Sequence, residues 1–76
     1  MREYTVVLTP DPEQGGYTVT VPALPGCITE GDTYENALAM AQDAIRLYIE
    51  SLVAHGEPIP EDVGEQPRIE RVLVAS

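Results

Sequence analysis

The stretch that decides the fold is GYTVTVPALPGCITEGDTYENAL, residues 16–38. Residues 17–21 alternate apolar side chains with threonines, which is the period of a half-buried strand. Pro22 and the pair Pro25-Gly26 follow, and because proline presets φ while glycine accepts positive φ, they predict a tight corner. Residues 27–30 can then pair back as a third, shorter strand. The stretch therefore predicts a strand, a rigid turn, a strand and a helix start.

A helix is predicted directly after Gly31. Asp32 precedes Glu35 by three residues, as in a capping box, whereas Thr33 as the cap would place Glu35 in the first turn, where the helix dipole favours acids. From there to Ala54 the apolar side chains recur at steps of three and four, which predicts an amphipathic helix of about six turns. The apolar stripe consists of Ala37, Leu38, Ala41, Ala44, Ile45, Tyr48 and Leu52.

The flanking segments complete a single domain over residues 1–76. Residues 3–9 alternate and predict a first strand, and residues 10–16 are rich in turn formers and predict a hairpin loop. An acidic, proline-bearing linker, residues 57–67, precedes an apolar segment, residues 68–74, that predicts a last strand, placed parallel to a neighbour by a right-handed crossover. The predicted fold is α+β with the order β-β-β-α-β, a small, mostly antiparallel sheet carrying one helix on one face.

The charge balance is strongly acidic, with 13 acids against four arginines and a net charge of −9. Such a chain repels phosphate backbones, so direct binding to DNA is not expected. A basic protein partner would be attracted to it, although the acids also serve to keep a small protein soluble. The single cysteine, Cys27, excludes an intramolecular disulfide and suits a reducing cytoplasm. Nothing in the sequence approaches the length of a membrane span.

Residues that could carry catalysis are sparse. His55 is the only histidine, so a zinc site is not expected, and Cys27 is typical of a small buried residue rather than a nucleophile. Six of the 13 acids fall in predicted loops, and residues 4–9 carry none, so the converging carboxylates of a two-metal nuclease are not recognisable. The sequence predicts no catalytic residue, no metal site and no cofactor.

The same stretch resembles the signature of the HicB-like antitoxin family, the inhibitory half of bacterial HicA–HicB toxin–antitoxin pairs. The motif Gly-Tyr-x-Val-x-Val-Pro-x-Leu-Pro-Gly-Cys, followed by Gly-Asp-Thr, stands here from Gly16 to Thr33. Its structural positions are Tyr17, Pro22, Pro25, Gly26, Cys27, Gly31, Asp32 and Thr33. The resemblance implies a partial ribonuclease-H-like fold and a non-catalytic domain that binds and sterically inhibits a small, basic, mRNA-cleaving toxin of the HicA type.

One departure from the family pattern concerns the DNA-binding module that many full-length HicB antitoxins carry. Residues 68–76 have few basic side chains, so the chain resembles a short, stand-alone form with the N-terminal HicB domain only. The alternative function is a self-associating structural or regulatory module without a toxin. It would form dimers or tetramers through the sheet edge and the off-stripe helix residues Leu47, Ile49 and Val53. For a toxin partner, charge alone predicts contacts at Glu30, Glu57, Glu61 and Asp62.

Overall fold

Three strands precede one long helix in the computed structural model, which describes residues 2–65 and 68–75. The elements are β1 (Val7–Pro10), β2 (Tyr17–Thr20), β3 (Ile28–Gly31) and α1 (Tyr34–Ala54). Both strand pairs are antiparallel and the sheet order is β1-β2-β3. The helix packs on one face, mostly against β3 and less against β2. The predicted α+β class with one helix on a small antiparallel sheet is confirmed.

The β1–β2 hairpin is closed by its own loop chemistry. The Asp11 amide donates to the Gly16 carbonyl at 3.0 Å, and the Gly15 amide donates back to the Asp11 carbonyl at 2.9 Å. The Asp11 carboxylate accepts the amides of Glu13 and Gln14, at 3.0 and 3.2 Å, as in an Asx turn. The predicted loop is therefore confirmed for residues 11–16, whereas Pro10, which was predicted to lie in it, is the last residue of β1 and pairs with Tyr17.

The first strand begins later than the alternation of residues 3–9 predicts, since the ladder covers Val7–Pro10. Continuing the register of Val7 with Thr20 would place Thr5 opposite Pro22, which has no amide hydrogen to donate. Thr5 bonds elsewhere: its amide and its hydroxyl donate to the Asp62 carboxylate at 2.9 and 2.7 Å. The carboxylate of Asp62, in the linker, therefore accepts the hydrogen bonds of Thr5 at a position where the sequence predicted pairing between strands.

The corner between β2 and β3 consists of two consecutive β-turns, over Val21–Leu24 and Leu24–Cys27. Each is closed by a bond from the fourth amide to the first carbonyl, at 2.9 and 3.0 Å. Pro22 and Pro25 occupy the second positions, and Gly26 follows at φ 80°, which the third position of a type II turn requires. The turns fold the Leu24 side chain inward, where it is fully buried.

The helix start uses the second of the two predicted caps. The Thr33 hydroxyl accepts the Asn36 amide at 3.0 Å, and the Asn36 side-chain oxygen accepts the Asp32 amide, also at 3.0 Å. The two bonds satisfy two backbone donors, as a capping box does, except that Asn36 in the third helical position reaches the amide of Asp32 rather than that of the cap Thr33. Thr33 is therefore the cap and Glu35 lies in the first turn.

The helix ends in a Schellman motif at the predicted stop. The Gly56 amide donates to the Val53 carbonyl at 3.1 Å, and the Glu57 amide donates to the Leu52 carbonyl at 2.9 Å. Gly56 has φ 68°, a conformation open to glycine at little cost. Pro58 then prevents the helix from continuing, so the predicted end at Ala54 is confirmed.

The core is formed by small helix residues against the strands and the corner. Ala37 and Ala41 pack on Val19, and a second cluster joins Val21, Leu24 and Cys27 to Ile45, Tyr48 and their neighbours. The alanines allow the close approach that the sequence predicts. At Gly31 the approach is closest, because an added Cβ would lie 2.5 Å from the Cα and N atoms of Ala37.

The predicted last strand over residues 68–74 is wrong within the described part of the chain. Residues 68–75 form neither strand nor helix, and we call them the arm. The four large apolar side chains of the arm are between 81 and 102% exposed: Ile69, Val72, Leu73 and Val74. A strand exists only when its backbone pairs with another, and the arm contains β-forming residues without a paired edge in this chain. The observed order is β-β-β-α.

We predict that Gly31→Ala destabilises the domain. The added methyl group meets helix backbone rather than a flexible side chain, so we expect the free energy of unfolding to fall by about 1–3 kcal/mol, as for overpacked cores. Urea denaturation followed by circular dichroism measures it. Gly64→Ala is the matched control, because its Cβ meets nothing within 4 Å. Equal stability of both variants would contradict the prediction.

We also predict that Thr33→Ala lowers the free energy of unfolding by about 1 kcal/mol, the usual effect of removing a helix N-cap. The reason is that the Asn36 amide loses its hydrogen-bond acceptor. The bond from the Asp32 amide to the Asn36 side chain is weakened as well, because Asn36 is then held less firmly. Thr33→Ser keeps the hydroxyl and should unfold at nearly the wild-type urea concentration. If serine and alanine destabilise the domain equally, the cap is not the cause.

Candidate functional site

The sheet face opposite the helix, which we call the open sheet face, is largely exposed, with Val7 and Thr20 half-buried. Its side chains form two cross-strand rows, Val7–Thr20–Ile28 and Thr9–Thr18–Glu30. Ile28 is 64% exposed although it lies in a strand. The surface is only mildly polar, as the alternation of the first two strands predicts. Small-molecule sites are concave pockets that bury most of the ligand, so an exposed strand face is better suited to contact with a macromolecule.

Acidic side chains meet at one end of the sheet, beside the β1–β2 hairpin. Asp11, Glu30 and Asp32 line a shallow groove of about 340 Å³ together with Tyr17 and Met40. We call these three carboxylates the hairpin-end acidic group. Like charges within one groove repel each other, and a cationic partner would relieve that repulsion.

The structure separates the four acids that the sequence predicts as partner contacts. Glu30 belongs to the hairpin-end acidic group, near the start of α1, whereas Glu57 lies just beyond the other end of this 21-residue helix. A helix of that length spans about 30 Å. Glu61 and Asp62 lie beside residues 2–4. The four residues therefore do not form one patch.

Asp62 differs from the other three because its carboxylate already acts in the fold. It is half-buried and accepts two hydrogen bonds from Thr5, 57 residues away along the chain. Next to it, the Tyr4 hydroxyl donates to the Pro60 carbonyl. These bonds hold the linker against the segment before β1. A contact between Asp62 and a partner stays a prediction.

A second groove, of about 800 Å³, separates residues 2–6 from the helix. We call it the β1–α1 groove. Its apolar walls come from Tyr4, Val6, Leu38 and Ile45, and its charged rim carries Arg2, Glu3, Glu35 and Asp62. It exists because the helix covers β3 and β2 more than β1. The sequence reasoning missed this groove because it placed residues 3–6 inside the sheet; Pro22 opposite Thr5 is the signal that could have revealed it.

Three side chains that could react or bind a ligand, Cys27, His55 and Arg46, are instead buried or bonded within the fold. Burial raises the pKa of the Cys27 thiol, which disfavours the nucleophilic thiolate. The His55 Nδ1 lies 2.7 Å from the Ser51 carbonyl in the last helical turn, so it donates to the helix end. The hydrogen bond from Arg46 to Asp43, together with the charges of Asp43 and Glu50, raises the pKa of that guanidinium.

A catalytic or metal centre would need reactive side chains that converge within residues 2–65 and 68–75, the described part of the chain. No group of three or more His, Cys, Asp or Glu side chains in these ranges is arranged to hold a metal ion. None of the charged side chains in the same ranges is buried. No helix of the described chain is long and apolar enough to cross a membrane. The surfaces that remain as candidates are the open sheet face, the hairpin-end acidic group and the β1–α1 groove.

Comparison with known proteins places these features in a family. Residues 4–71 match the family model described as HicB-like antitoxin of bacterial toxin–antitoxin systems. A UPF0150 protein of Thermoplasma acidophilum is 55% identical over 84% of this chain and 91% of its own length. Antitoxin HicB 1 of Photorhabdus laumondii is 44% identical over 82% of this chain, and antitoxin HicB of Escherichia coli is 39% identical over 75% of it.

The two kinds of relative differ in length. The chain spans 41% of each of these two HicB antitoxins, but 91% of the Thermoplasma protein and 73% of a UPF0150 protein of Synechocystis, to which it is 46% identical. The motif of residues 16–33 and the strand–strand–strand–helix order lie inside the matched region. The chain therefore belongs to the HicB-like antitoxin family.

Proposed function

We propose that this chain is a non-catalytic antitoxin domain that binds a small, basic, mRNA-cleaving toxin of the HicA type and inhibits it sterically. The observation that carries the proposal is the match of residues 4–71 to the HicB-like antitoxin family. The domain acts by occupying the toxin's RNA-binding surface, so it needs no reacting group of its own. Its single, buried cysteine suits work in the reducing cytoplasm.

The charge of the chain supports a basic partner. The net charge is −9, and Arg46, one of the four arginines, is engaged with Asp43 and Glu50 on the helix. A protein that binds messenger RNA presents lysine and arginine to the phosphates. An acidic domain competes for that same surface, and long-range attraction accelerates the encounter.

The hairpin-end acidic group is the contact surface that we propose for the toxin. Glu30 is exposed and lies in the outer row of the open sheet face, so a partner can approach it without rearrangement of the fold. Asp32 is exposed at the helix start, and Asp11 lies across the groove. Among the four acids predicted from sequence, Glu30 thus has the setting best suited to a partner contact.

Co-expression provides the direct test of the proposed function. We expect that a small basic toxin encoded beside this gene arrests growth when expressed alone, and that this chain restores growth and co-purifies with the toxin. Messenger RNA cleavage by the purified toxin should stop at an equimolar amount of this chain. The absence of a stable complex, or continued cleavage within one, contradicts the proposal.

Charge reversal tests the contact surface separately. We predict that Glu30→Lys weakens toxin binding at least tenfold at low salt and flattens its salt dependence, because it removes a favourable charge and adds a repulsive one. Glu50→Lys is the matched control: nine residues after the buried Ala41, it lies on the solvent side of the helix. Titration calorimetry at two salt concentrations measures both variants. If Glu30→Lys and Glu50→Lys weaken toxin binding equally, the effect is due to net charge and the proposed contact surface is rejected.

A further inference from the structure

The arm is rich in apolar residues although it is exposed to solvent. Its residues Ile69, Val72, Leu73 and Val74 favour strands, and all four are almost fully exposed. Three of them are consecutive, so an extended arm presents apolar side chains on both of its sides. Segments of this kind, with no proline and little net charge, are the ones that pair with a free sheet edge.

The single chain has more surface than a compact protein of its size. Its accessible surface is 6307 Å², whereas a folded monomer of 8.3 kDa exposes roughly 4,600 Å². The radius of gyration is 15.0 Å, against about 11 Å for a compact domain of this length. The excess surface of one chain, roughly 1,700 Å², is about twice the roughly 800 Å² that each partner buries in a standard protein–protein interface.

A strand edge and a groove that suit the arm lie on the same side of the domain. In the described sheet β1 is an edge strand, and the bond from Asp11 to Gly16 fixes which of its backbone groups face outward. Bonded and non-bonded pairs alternate in an antiparallel ladder, so Val7 and Thr9 bond to β2 and the backbone of Leu8 faces the open edge. The β1–α1 groove continues from this edge with the exposed Leu38 on its helix wall.

The charges of the arm and of the groove are complementary. The arm carries Arg68 and Arg71 against Glu70, so it is the part of an acidic chain with a net positive charge. The groove rim carries three acids, including Glu35 and Asp62, against one arginine. Opposite charges at the rim set the orientation of an inserted strand, while the apolar side chains supply the burial.

We propose that the chain forms a two-fold dimer in which the arm of each protomer adds as a strand to the β1 edge of the other and packs into its β1–α1 groove. The occupant is a second copy because the arm of the single chain does not line its own groove, its apolar side chains are exposed, and the uncovered area is large enough for an interface. Reciprocal exchange of an identical element is a symmetric, self-limiting way to cover such an edge. The dimer does not require a toxin.

The association state of the full chain tests the proposal. Light scattering during size-exclusion chromatography should give twice the mass of 8.3 kDa at micromolar concentration. Leu73→Asp should weaken dimerisation at least tenfold, while the helical circular dichroism signal stays unchanged because Leu73 contributes nothing to the described core. Leu47→Asp is the matched control on the exposed helix face and should leave the dimer intact. A monomeric wild type, or a dimer lost only with Leu47→Asp, overturns the proposal.

Cross-linking distinguishes exchange between chains from docking of the arm on its own chain. A tagged Thr9→Cys chain is mixed with an untagged Val74→Cys chain, and a short bis-maleimide is added; the wild type, whose Cys27 is buried, is the control. Exchange predicts a covalent product with one tagged and one untagged chain. The Thr9→Cys, Val74→Cys double variant should likewise link between chains. A link found only within single chains overturns the proposal, whatever the outcome with a toxin.

Discussion

The approach of the α1 backbone to β3 at Gly31 is the constraint on which the rest of the structure depends. A side chain at this position would occupy the space of the Ala37 backbone. The cap at Thr33 starts the helix almost at once after the strand, and the alanines on its inner face keep it close to Val19. The close contact fixes the helix over β3 and β2, and it thereby leaves β1 and its groove uncovered.

A thin core has consequences for what the surface can do. Val19 and Leu24 are the largest fully buried side chains among the described residues, so little apolar burial holds the domain together. Small domains of this kind commonly gain stability from association. No charged side chain of the described chain is buried, and Glu30 and Asp32 are exposed, so a partner can reach these two acids at low desolvation cost. Such a molecule is suited to binding other macromolecules through exposed faces.

The sequence was sufficient where local interactions decide the structure. Pro22, Pro25 and Gly26 act through turn geometry, and the helix bounds follow from Thr33 and Gly56, all within a few residues of their partners. The sequence was insufficient where contacts between residues far apart in the chain determine the structure. The bond between Thr5 and Asp62 needs the finished fold, and it holds the linker beside the segment where the predicted first strand does not pair. The arm shows the same limit, because strand pairing needs an edge that its own composition does not specify.

Glu30 and the edge proposed for the arm lie on opposite sides of the sheet, and this arrangement bears on how the domain would work. Glu30 is on β3, whereas the arm is proposed to add at β1, with β2 between them. Strands are spaced about 4.8 Å apart, so the edges are roughly 10 Å apart, and an added strand extends the sheet away from Glu30. A two-fold dimer would therefore join the protomers at β1 and present a Glu30 surface at each outer end. Two toxins could then be held at once, and the acidic charge of each protomer would remain directed outward.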